Sequence, residues 1–234
     1  MVIDLRRCIG CGACAVACKQ ENNVPLGYYR KWVKLGEKGR YSNTRNYYIP
    51  ILCNHCEDAI CNRNCPVHAT YKTPDGLTLI DYDRCVGCKY CMVSCPYNVR
   101  FAHPYRKTVD KCTFCAHRIK KGLEPACVVT CMAKARTFGD ISDKNTEISK
   151  IFATNSIQVL KPEQNTKPHV FYIGLDEIVA NAGKDDFRYM KYYRRDILKE
   201  EIRITKKEAE NHYNILKGVS NADIEYDYRL KSNT

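Results

Sequence analysis

Long apolar segments are missing from this sequence. The longest stretches without Asp, Glu, Lys or Arg are only eleven residues long, at 8–18 and 46–56. A membrane-spanning helix needs about 20 consecutive apolar residues, so we expect no direct membrane span. We also expect no secretory signal, because the first cysteine motif begins at Cys8 and leaves no room for a charged start, an apolar stretch and a cleavage site.

Residues that build an ordinary apolar core are present in modest numbers. Aromatic side chains make up 10% of the 234 residues, and the mean hydropathy is −0.47. A chain of this length could form one large domain or two small ones, each with a buried core. The sequence has, however, 16 cysteines. We therefore expect that something other than apolar burial organises the chain.

The cysteines form four groups of four, with none left over. Groups one and three share the pattern Cys-x2-Cys-x2-Cys-x3-Cys, and proline follows the last cysteine of groups two and three. Group one is Cys8, Cys11, Cys14 and Cys18; group two is Cys53, Cys56, Cys61 and Cys65; group three is Cys85, Cys88, Cys91 and Cys95; group four is Cys112, Cys115, Cys127 and Cys131.

Three chemistries compete for this pattern. Disulfides are disfavoured, because cysteines at i, i+3 and i+6 lie on consecutive turns of one segment, where a bridge would restrict almost no chain entropy. Zinc ribbons separate their two Cys-x2-Cys pairs by a dozen or more residues, so only group four has a spacing that zinc alone could use. The pattern of groups one and three is that of bacterial ferredoxins. Iron–sulfur ligation is the favoured interpretation, and a zinc-dependent binding module is the alternative.

The spacing suits a cubane cluster. A tight loop with ligands at every third residue supplies three sulfurs to one face of the cluster. The x3 step then carries the fourth cysteine onto a helical turn that points away, and in two-cluster ferredoxins this cysteine ligates the neighbouring cluster. Gly10, Gly12 and Gly87 suit loops in which the backbone approaches a cluster or takes positive φ.

The chain contains an internal repeat. Residues 2–18 align without gaps on residues 79–95, with nine identities in seventeen positions. Groups two and four match each other less closely, and each has an alanine four residues after its last cysteine, at Ala69 and Ala135. Short apolar alternations precede groups one and three, and we predict strands at 2–5 and 77–80 that lead into the cluster loops.

The basic charge fits buried anionic metal sites. The formal net charge is +12 with neutral cysteines, which by itself would suggest nucleic acid or an anionic membrane as a partner. Sixteen thiolates on four iron–sulfur cores of roughly +2 each would contribute about −8 and lower the net charge to roughly +4. We therefore expect no nucleic-acid partner. The basic residues in or beside cysteine motifs are Arg7, Lys19, Arg63, Arg84, Lys89, Arg100 and Lys111.

No motif in the sequence predicts catalysis. Paired carboxylates, a nucleophile elbow and a phosphate loop are all missing, so we predict no catalytic residue. His55 and His117 lie inside cysteine motifs, but four thiolates are available for each cluster, and we predict packing roles for both. Tyr90, Tyr97 and Phe114 are predicted to shield clusters from water.

The sequence resembles the four-cluster ferredoxin-type iron–sulfur subunits of molybdopterin oxidoreductases of the dimethyl-sulfoxide-reductase superfamily. The resemblance covers residues 1–174 and, within the family, is closest to the iron–sulfur subunits of tetrathionate reductases. It rests on ENNVP at 21–25, LCNHC at 52–56, CPVHAT at 65–70, DGL at 75–77, CPYNVRF at 95–101, DKCTFCAHR at 110–118, EPACVVTC at 124–131 and VLKPE at 159–163, and on IDLRRCIGC at 3–11 and KPHVFYIGLDE at 167–177.

The resemblance implies four 4Fe-4S clusters with crossed ligands. In this family group one pairs with group four and group two with group three, and an aromatic residue in place of Cys88 would indicate a three-iron cluster. The implied ligands are Cys8, Cys11, Cys14 and Cys131 (site A); Cys112, Cys115, Cys127 and Cys18 (site B); Cys53, Cys56, Cys61 and Cys95 (site C); and Cys85, Cys88, Cys91 and Cys65 (site D). Cys18 and Cys131 depart from the ferredoxin pattern, because no proline follows them.

The implied fold is α+β and loop-rich. It comprises two ferredoxin-like dicluster modules with cross-ligated cysteine motifs, the first at 1–45 and 100–173 and the second at 46–99, and a C-terminal helical extension at 174–234. Residues 140–152 predict a short helix opened by a capping Asp or Ser, and residues 159–175 predict an arm that relatives lay back over the first module. The highly charged residues 184–217 predict a solvated helix, with docking onto a partner as the alternative.

The implied function is electron transfer. The chain would relay electrons to or from a large molybdopterin-containing catalytic subunit of a respiratory reductase of tetrathionate or a related sulfur oxyanion, with a membrane quinol-oxidising subunit or a cytochrome as donor. The alternatives are the same role in an arsenate, thiosulfate, polysulfide or dimethyl sulfoxide reductase, or a hydrogenase subunit or free polyferredoxin. Reduced cysteines alone suggest the cytoplasm, but relatives are carried folded across the membrane by a partner, so we expect the periplasmic side.

Overall fold

The computed structural model describes residues 1–175, which form many short elements joined by loops. The strands are β1 (Val2–Asp4), β2 (Lys31–Arg40), β3 (Asn43–Leu52), β4 (Thr70–Lys72), β5 (Thr78–Ile80), β6 (Arg100–Ala102), β7 (Val109–Lys111), β8 (Arg136–Thr137), β9 (Ile157–Gln158) and β10 (Phe171–Ile173). The helices are α1 (Ala13–Glu21), α2 (Ile60–Arg63), α3 (Tyr90–Val93), α4 (Ala116–Ile119), α5 (Ala126–Val129) and α6 (Glu147–Thr154), with a 3-10 turn at Pro162–Gln164. Small sheets and short helices in one chain confirm the α+β class.

Hairpins of sequential strands supply most of the sheet pairing. β2 and β3 form a long antiparallel hairpin in which Lys31 lies opposite Leu52, while β4 with β5 and β6 with β7 form hairpins of three residues per strand. The predicted module boundary between residues 45 and 46 falls inside β3. A two-stranded hairpin is marginally stable on its own, so these hairpins depend on what they pack against.

A four-stranded sheet joins the start of the chain to its residues 171–173. Its strand order is β8-β1-β10-β9, with β10 parallel to β1. The segment that leads into β10 also crosses the second cysteine group, because the backbone N–H groups of Glu57 and Asp58 donate to the carbonyls of Lys167 and Thr166 at 2.8 and 3.2 Å. The predicted arm therefore contacts both β1 and the segment of the second cysteine group, rather than the first part of the fold alone.

The predicted strands are confirmed, and the predicted helix begins later than expected. β1 and β5 occupy the predicted positions ahead of groups one and three, whereas α6 begins at Glu147. The side chains of Asp140 and Asp143 accept hydrogen bonds from the backbone two residues further on, at 2.8 and 2.9 Å. Such turns compete with helix formation, so 140–145 stays outside the helix. The predicted C-terminal extension lies, from residue 176 onward, outside the described residues.

Cysteines form part of the interior. All sixteen are free thiols, and eight of them are buried. Cys14, Cys53, Cys112 and Cys127 belong to the largest apolar cluster, together with residues such as Ile3, Leu52, Val99, Phe114 and Tyr172. Across residues 1–175, no helix has both the length and the apolar character to cross a membrane.

Candidate metal centres

Three cavities in the structure are each lined by four cysteines. Site A encloses about 380 Å³, site C about 370 Å³ and site D about 310 Å³, counted out to the open side of each cavity. Their cysteines are Cys8, Cys11, Cys14 and Cys131 in site A; Cys53, Cys56, Cys61 and Cys95 in site C; and Cys65, Cys85, Cys88 and Cys91 in site D. In each cavity, three cysteines come from one group and the fourth comes from another.

The four cysteines of site B are also brought together. Asn22 Nδ2 lies 3.7 Å from Cys18 Sγ and 4.0 Å from Cys115 Sγ. Burial, with the nearby thiols of Cys18, Cys127 and Cys115, holds the pKa of Cys112 well above its ordinary value. Burial likewise raises the pKa of Cys18 to about 12. Four thiols in so small a buried space cannot all ionise unless a cation compensates their charge.

The thiols are not arranged for a single ion. In the part of the chain that the structure describes, no three His, Cys, Asp or Glu side chains converge closely enough to hold one metal ion. The four cysteines of site A, of site C and of site D instead line a shared cavity in each case. The donor set is entirely thiol, which is the ligand type of iron–sulfur clusters and of zinc.

One backbone turn recurs in all four groups. The residue before the second cysteine takes positive φ in every case: Gly10 at 71°, His55 at 44°, Gly87 at 68° and Phe114 at 53°. The turn reverses the chain, so that both cysteines of each Cys-x2-Cys pair face one cavity. Glycine adopts this conformation without cost, whereas His55 and Phe114 adopt it against their own preference. The sequence signal of glycine therefore identifies this turn in only two of the four groups.

Gly87→Ala is expected to lower both the iron retained at site D and the melting temperature. An added Cβ would lie 2.1 Å from the backbone carbonyl oxygen of Lys107, which cannot rotate away. Gly122→Ala is the matched control, because Gly122 also has positive φ (+72°) but has open space around its Cα. The unfavourable φ costs each variant roughly 1–2 kcal/mol, so the larger loss in Gly87→Ala measures the clash. If calorimetry and iron analysis show that the two variants lose equal amounts of thermal stability and of iron, the clash at Gly87 is contradicted.

Two buried arginines contact the cysteines. Arg100 Nη2 donates to Cys61 Sγ at 2.9 Å, and the residue lines the cavities of both sites C and D. Arg136 lies 3.6 Å from Cys14 Sγ of site A and 4.0 Å from Cys127 Sγ of site B. Burial opposes their charge, but the neighbouring thiolates outweigh it and hold the pKa of both arginines above the ordinary value. Sequence analysis singled out Arg100 and missed Arg136.

Contacts between the sites place them in the order A, B, C, D. Arg136 joins A to B, and Arg100 joins C to D. Sites B and C meet where the His55 ring stacks on the Phe114 ring, with centroids 3.9 Å apart. His55 Nδ1 accepts a hydrogen bond from the Thr78 N–H, and its Nε2–H donates to the Cys112 carbonyl, both at 3.1 Å. Both ring nitrogens are therefore occupied, and His55 packs between sites as predicted.

The two terminal sites reach the surface. Cys11 of site A and Cys88 of site D are exposed, whereas sites B and C contain only buried and half-buried cysteines. Apolar residues surround the exposed cysteines, including Ile9 beside Cys11 and Val86 and Tyr90 beside Cys88. Tyr90 is thus a surface residue, while Tyr97 and Phe114, also predicted to exclude water, are buried. His117, the second histidine inside a cysteine motif, contacts the carboxylate of Glu21 through Nε2 at 2.8 Å.

Known proteins share these motifs over most of the chain. A family model described as a 4Fe-4S dicluster domain matches residues 44–141, and one described as a 4Fe-4S binding domain matches residues 1–20. A tetrathionate reductase subunit of Salmonella typhimurium is 48% identical over 181 residues, which are 76% of this chain and 72% of that protein. This chain is a member of the iron–sulfur subunits of molybdopterin reductases.

Other members of the iron–sulfur subunit family show the same coverage. A polysulfide reductase polypeptide of Wolinella succinogenes is 41% identical over 177 residues, 74% of this chain and 92% of that protein. The arsenate respiratory reductase iron–sulfur subunit of Shewanella sp. is 38% identical over 221 residues, 74% of this chain and 94% of that protein. As a member of this family, the chain is an electron-transfer subunit that works with a separate molybdopterin catalytic subunit.

Unpartnered polar atoms fit 4Fe-4S clusters in these sites. Within residues 1–175, Asn54 Nδ2 and Thr78 Oγ1 line the cavity of site C, are buried, and lack hydrogen-bond partners. Lys31 Nζ is also buried beside Cys14; burial raises the pKa of that thiol, but the charges of Arg136 and Lys31 outweigh burial and lower the pKa below its ordinary value. Buried polar groups without partners are costly. An anionic cluster with sulfide acceptors would supply partners for these donors.

Backbone donors also point at the sulfurs. The N–H groups of Ala69 and Ala135 donate to Cys65 Sγ at 3.2 Å and to Cys131 Sγ at 3.3 Å. These two alanines are the ones that follow groups two and four at equal spacing in the sequence. Hydrogen bonds to ligand sulfur stabilise the thiolate and tune the cluster. The repeat in the sequence thus corresponds to a repeated hydrogen bond to the last cysteine of the group.

Proposed function

We propose that this chain relays electrons through four 4Fe-4S clusters to a molybdopterin catalytic subunit that reduces tetrathionate or a related sulfur oxyanion. The observation that carries the proposal is the row of four four-cysteine sites, whose end members reach the surface. Tetrathionate is proposed because the relatives with 48% and 46% identity are tetrathionate reductase subunits.

The ligands that we propose follow the four sites. Cys8, Cys11, Cys14 and Cys131 would hold the cluster of site A; Cys18, Cys112, Cys115 and Cys127 that of site B; Cys53, Cys56, Cys61 and Cys95 that of site C; and Cys65, Cys85, Cys88 and Cys91 that of site D. Each cluster would thereby join two groups, and sites A with B and C with D would form two ferredoxin-like modules. Residues 1–45 with 100–173 would belong mainly to the first module and residues 46–99 to the second.

Electron relay follows from how the chain's own residues arrange the sites. When bound, a 4Fe-4S cluster can accept or release one electron with little change of geometry. Arg100, Arg136 and Lys31 supply positive charge beside the thiolates, and Tyr97 and Phe114 keep water from the inner sites. A dry, fixed site tunes the cluster potential and leaves little to reorganise when charge moves.

The two surface ends are the places where we propose that partners bind. One end would face the catalytic subunit, and the other would face a membrane quinol-oxidising subunit or a cytochrome. Val86 and Tyr90 at site D, and Ile9 at site A, would be covered by these partners, because exposed apolar groups around a redox centre are typical of contact surfaces.

Purification of the intact chain from anaerobically grown cells tests this function. We expect a brown protein with broad visible absorption, which dithionite bleaches, together with a larger molybdenum-containing subunit. The complex is expected to oxidise reduced viologen with tetrathionate. Turnover with arsenate, polysulfide or dimethyl sulfoxide instead would contradict the proposed substrate but would still support the electron-transfer role of this chain. A lone monomer with full cluster content would favour a free polyferredoxin, and a colourless zinc protein would exclude the proposal.

We further propose that the complex works on the periplasmic side of the membrane. A chain whose fold depends on its clusters must be assembled before transport, which suits export of the folded subunit on a partner. Protease added to intact spheroplasts is expected to degrade the subunit. Protection until the cells are lysed would favour the cytoplasmic alternative.

A further inference from the structure

Arg100 and Arg136 occupy matching positions after groups three and four, one in each pair of sites. Each lies five residues after the last cysteine of its group, Cys95 for Arg100 and Cys131 for Arg136. Each begins a short strand, β6 or β8. Their exposed fractions are 1% and 5%. One guanidinium is therefore buried in each pair of sites.

Each arginine reaches both sites of its pair. Arg136 contacts Cys14 of site A and Cys127 of site B through its two terminal nitrogens. Arg100 donates to Cys61 of site C and lines the cavity that holds the cysteines of site D. One fixed positive charge is thus shared by two neighbouring sites in both halves of the structure.

Within residues 1–175, no carboxylate forms an ion pair with either arginine. Their hydrogen-bond partners in the described part of the chain are sulfur atoms and the Thr70 hydroxyl, 3.2 Å from Arg100 Nη1. Arg30 is equally buried but forms an ion pair with Asp110 at 3.1 Å. A buried guanidinium cannot lose its proton, so the charges of Arg100 and Arg136 remain available to whatever the cysteines hold.

We propose that Arg100 and Arg136 are positioning residues that each set the reduction potentials of two neighbouring clusters. This inference rests on the proposed ligation. A positive charge beside a cluster stabilises the added electron and raises the potential. Because the charge lies between two sites, it stabilises an added electron on either of the two clusters. Each arginine would therefore raise the potentials of both clusters of its pair together.

Arg100→Gln and Arg136→Gln test the proposal by EPR-monitored redox titration of the intact anaerobic protein. We expect Arg100→Gln to lower two of the four midpoint potentials and Arg136→Gln to lower the other two. Each reduction equilibrium should weaken at least tenfold, which corresponds to 59 mV for a one-electron step. Arg63→Gln is the matched control, because Arg63 lies between Cys61 and Cys65 in the sequence but is 64% exposed and pairs with Asp58. The control should leave all four potentials close to their original values.

Iron analysis separates this proposal from the ligation on which it rests. Full iron content with four clusters retained supports the ligation whatever the potentials do. If a glutamine variant loses clusters, the corresponding lysine variant is measured instead. Lysine keeps the positive charge, so the reduction equilibrium constants of the two clusters in the pair should change by less than about tenfold. Potentials that stay unchanged in the glutamine variants, a change confined to one cluster, or a lysine variant with lowered potentials would overturn the proposal.

Discussion

Cys131→Ser is expected to destroy the cluster of site A, although the other ligands of that site lie more than a hundred residues earlier in the sequence. The cavity of site A contains Cys131 together with Cys8, Cys11 and Cys14. Serine is a poor ligand for iron, so the cluster should be lost or reduced to a three-iron form. Iron per chain should fall from about sixteen to about twelve if the cluster is lost, or to about fifteen if a three-iron cluster remains. Because site A is one end of the row, transfer through the chain should fall at least a hundredfold.

Cys127→Ser is the control that distinguishes crossed from local ligation. Cys127 belongs to the same group as Cys131, but its sulfur lies near those of Cys18, Cys112 and Cys115. The two serine variants should therefore lose different EPR signals, site A in one and site B in the other. Loss of the same signal in both variants would show that group four ligates one cluster by itself.

Removal of iron is expected to unfold the described part of the chain, because it should lower the free energy of unfolding by more than ~5 kcal/mol. Eight cysteines are buried, and several lie inside the main apolar cluster. Without clusters, the buried charges of Arg100 and Arg136 would line cavities that hold no anion. Buried charges without partners are costly, and the hairpins of β4–β5 and β6–β7 are too short to persist alone.

Anaerobic treatment with a chelator and an oxidant, followed by near-UV circular dichroism and calorimetry, checks this expectation. The cluster-free chain should lose its near-UV signal and its cooperative thermal transition, and reconstitution with iron and sulfide should restore both. A chelator without oxidant is the control, because intact clusters should resist it. A cluster-free chain that retains a sharp melting transition would contradict the view that the clusters organise the fold.

The cysteine pattern predicted the chemistry of the sites but not every residue around them. The strands before groups one and three could be predicted from the apolar alternation that precedes each group, and the α+β class followed from the family resemblance. The long hairpin of β2 and β3 was not predicted, because its residues alternate only weakly between apolar and polar. Lys31 was missed for the same reason, since it lies on that hairpin and far from any cysteine in the sequence.

Arg136 shows which signal was available and not used. Arg100 stood out because it follows the conspicuous Cys-Pro of group three, whereas no proline precedes Arg136. Counting from the last cysteine of each group would have found both. The order of the sites was beyond sequence analysis, because it depends on the stacking of His55 on Phe114 and on side chains that reach across groups.

Anomalous diffraction at the iron edge from crystals of the anaerobic protein tests the central claim most directly. We predict sixteen iron atoms in four cubes, in the order A, B, C, D, with each cube bound by three cysteines of one group and one cysteine of another. The nearest sulfur of group four to the cube at Cys8 should be that of Cys131. Four cubes that are each bound by the cysteines of a single group, or single ions in place of cubes, would contradict the account.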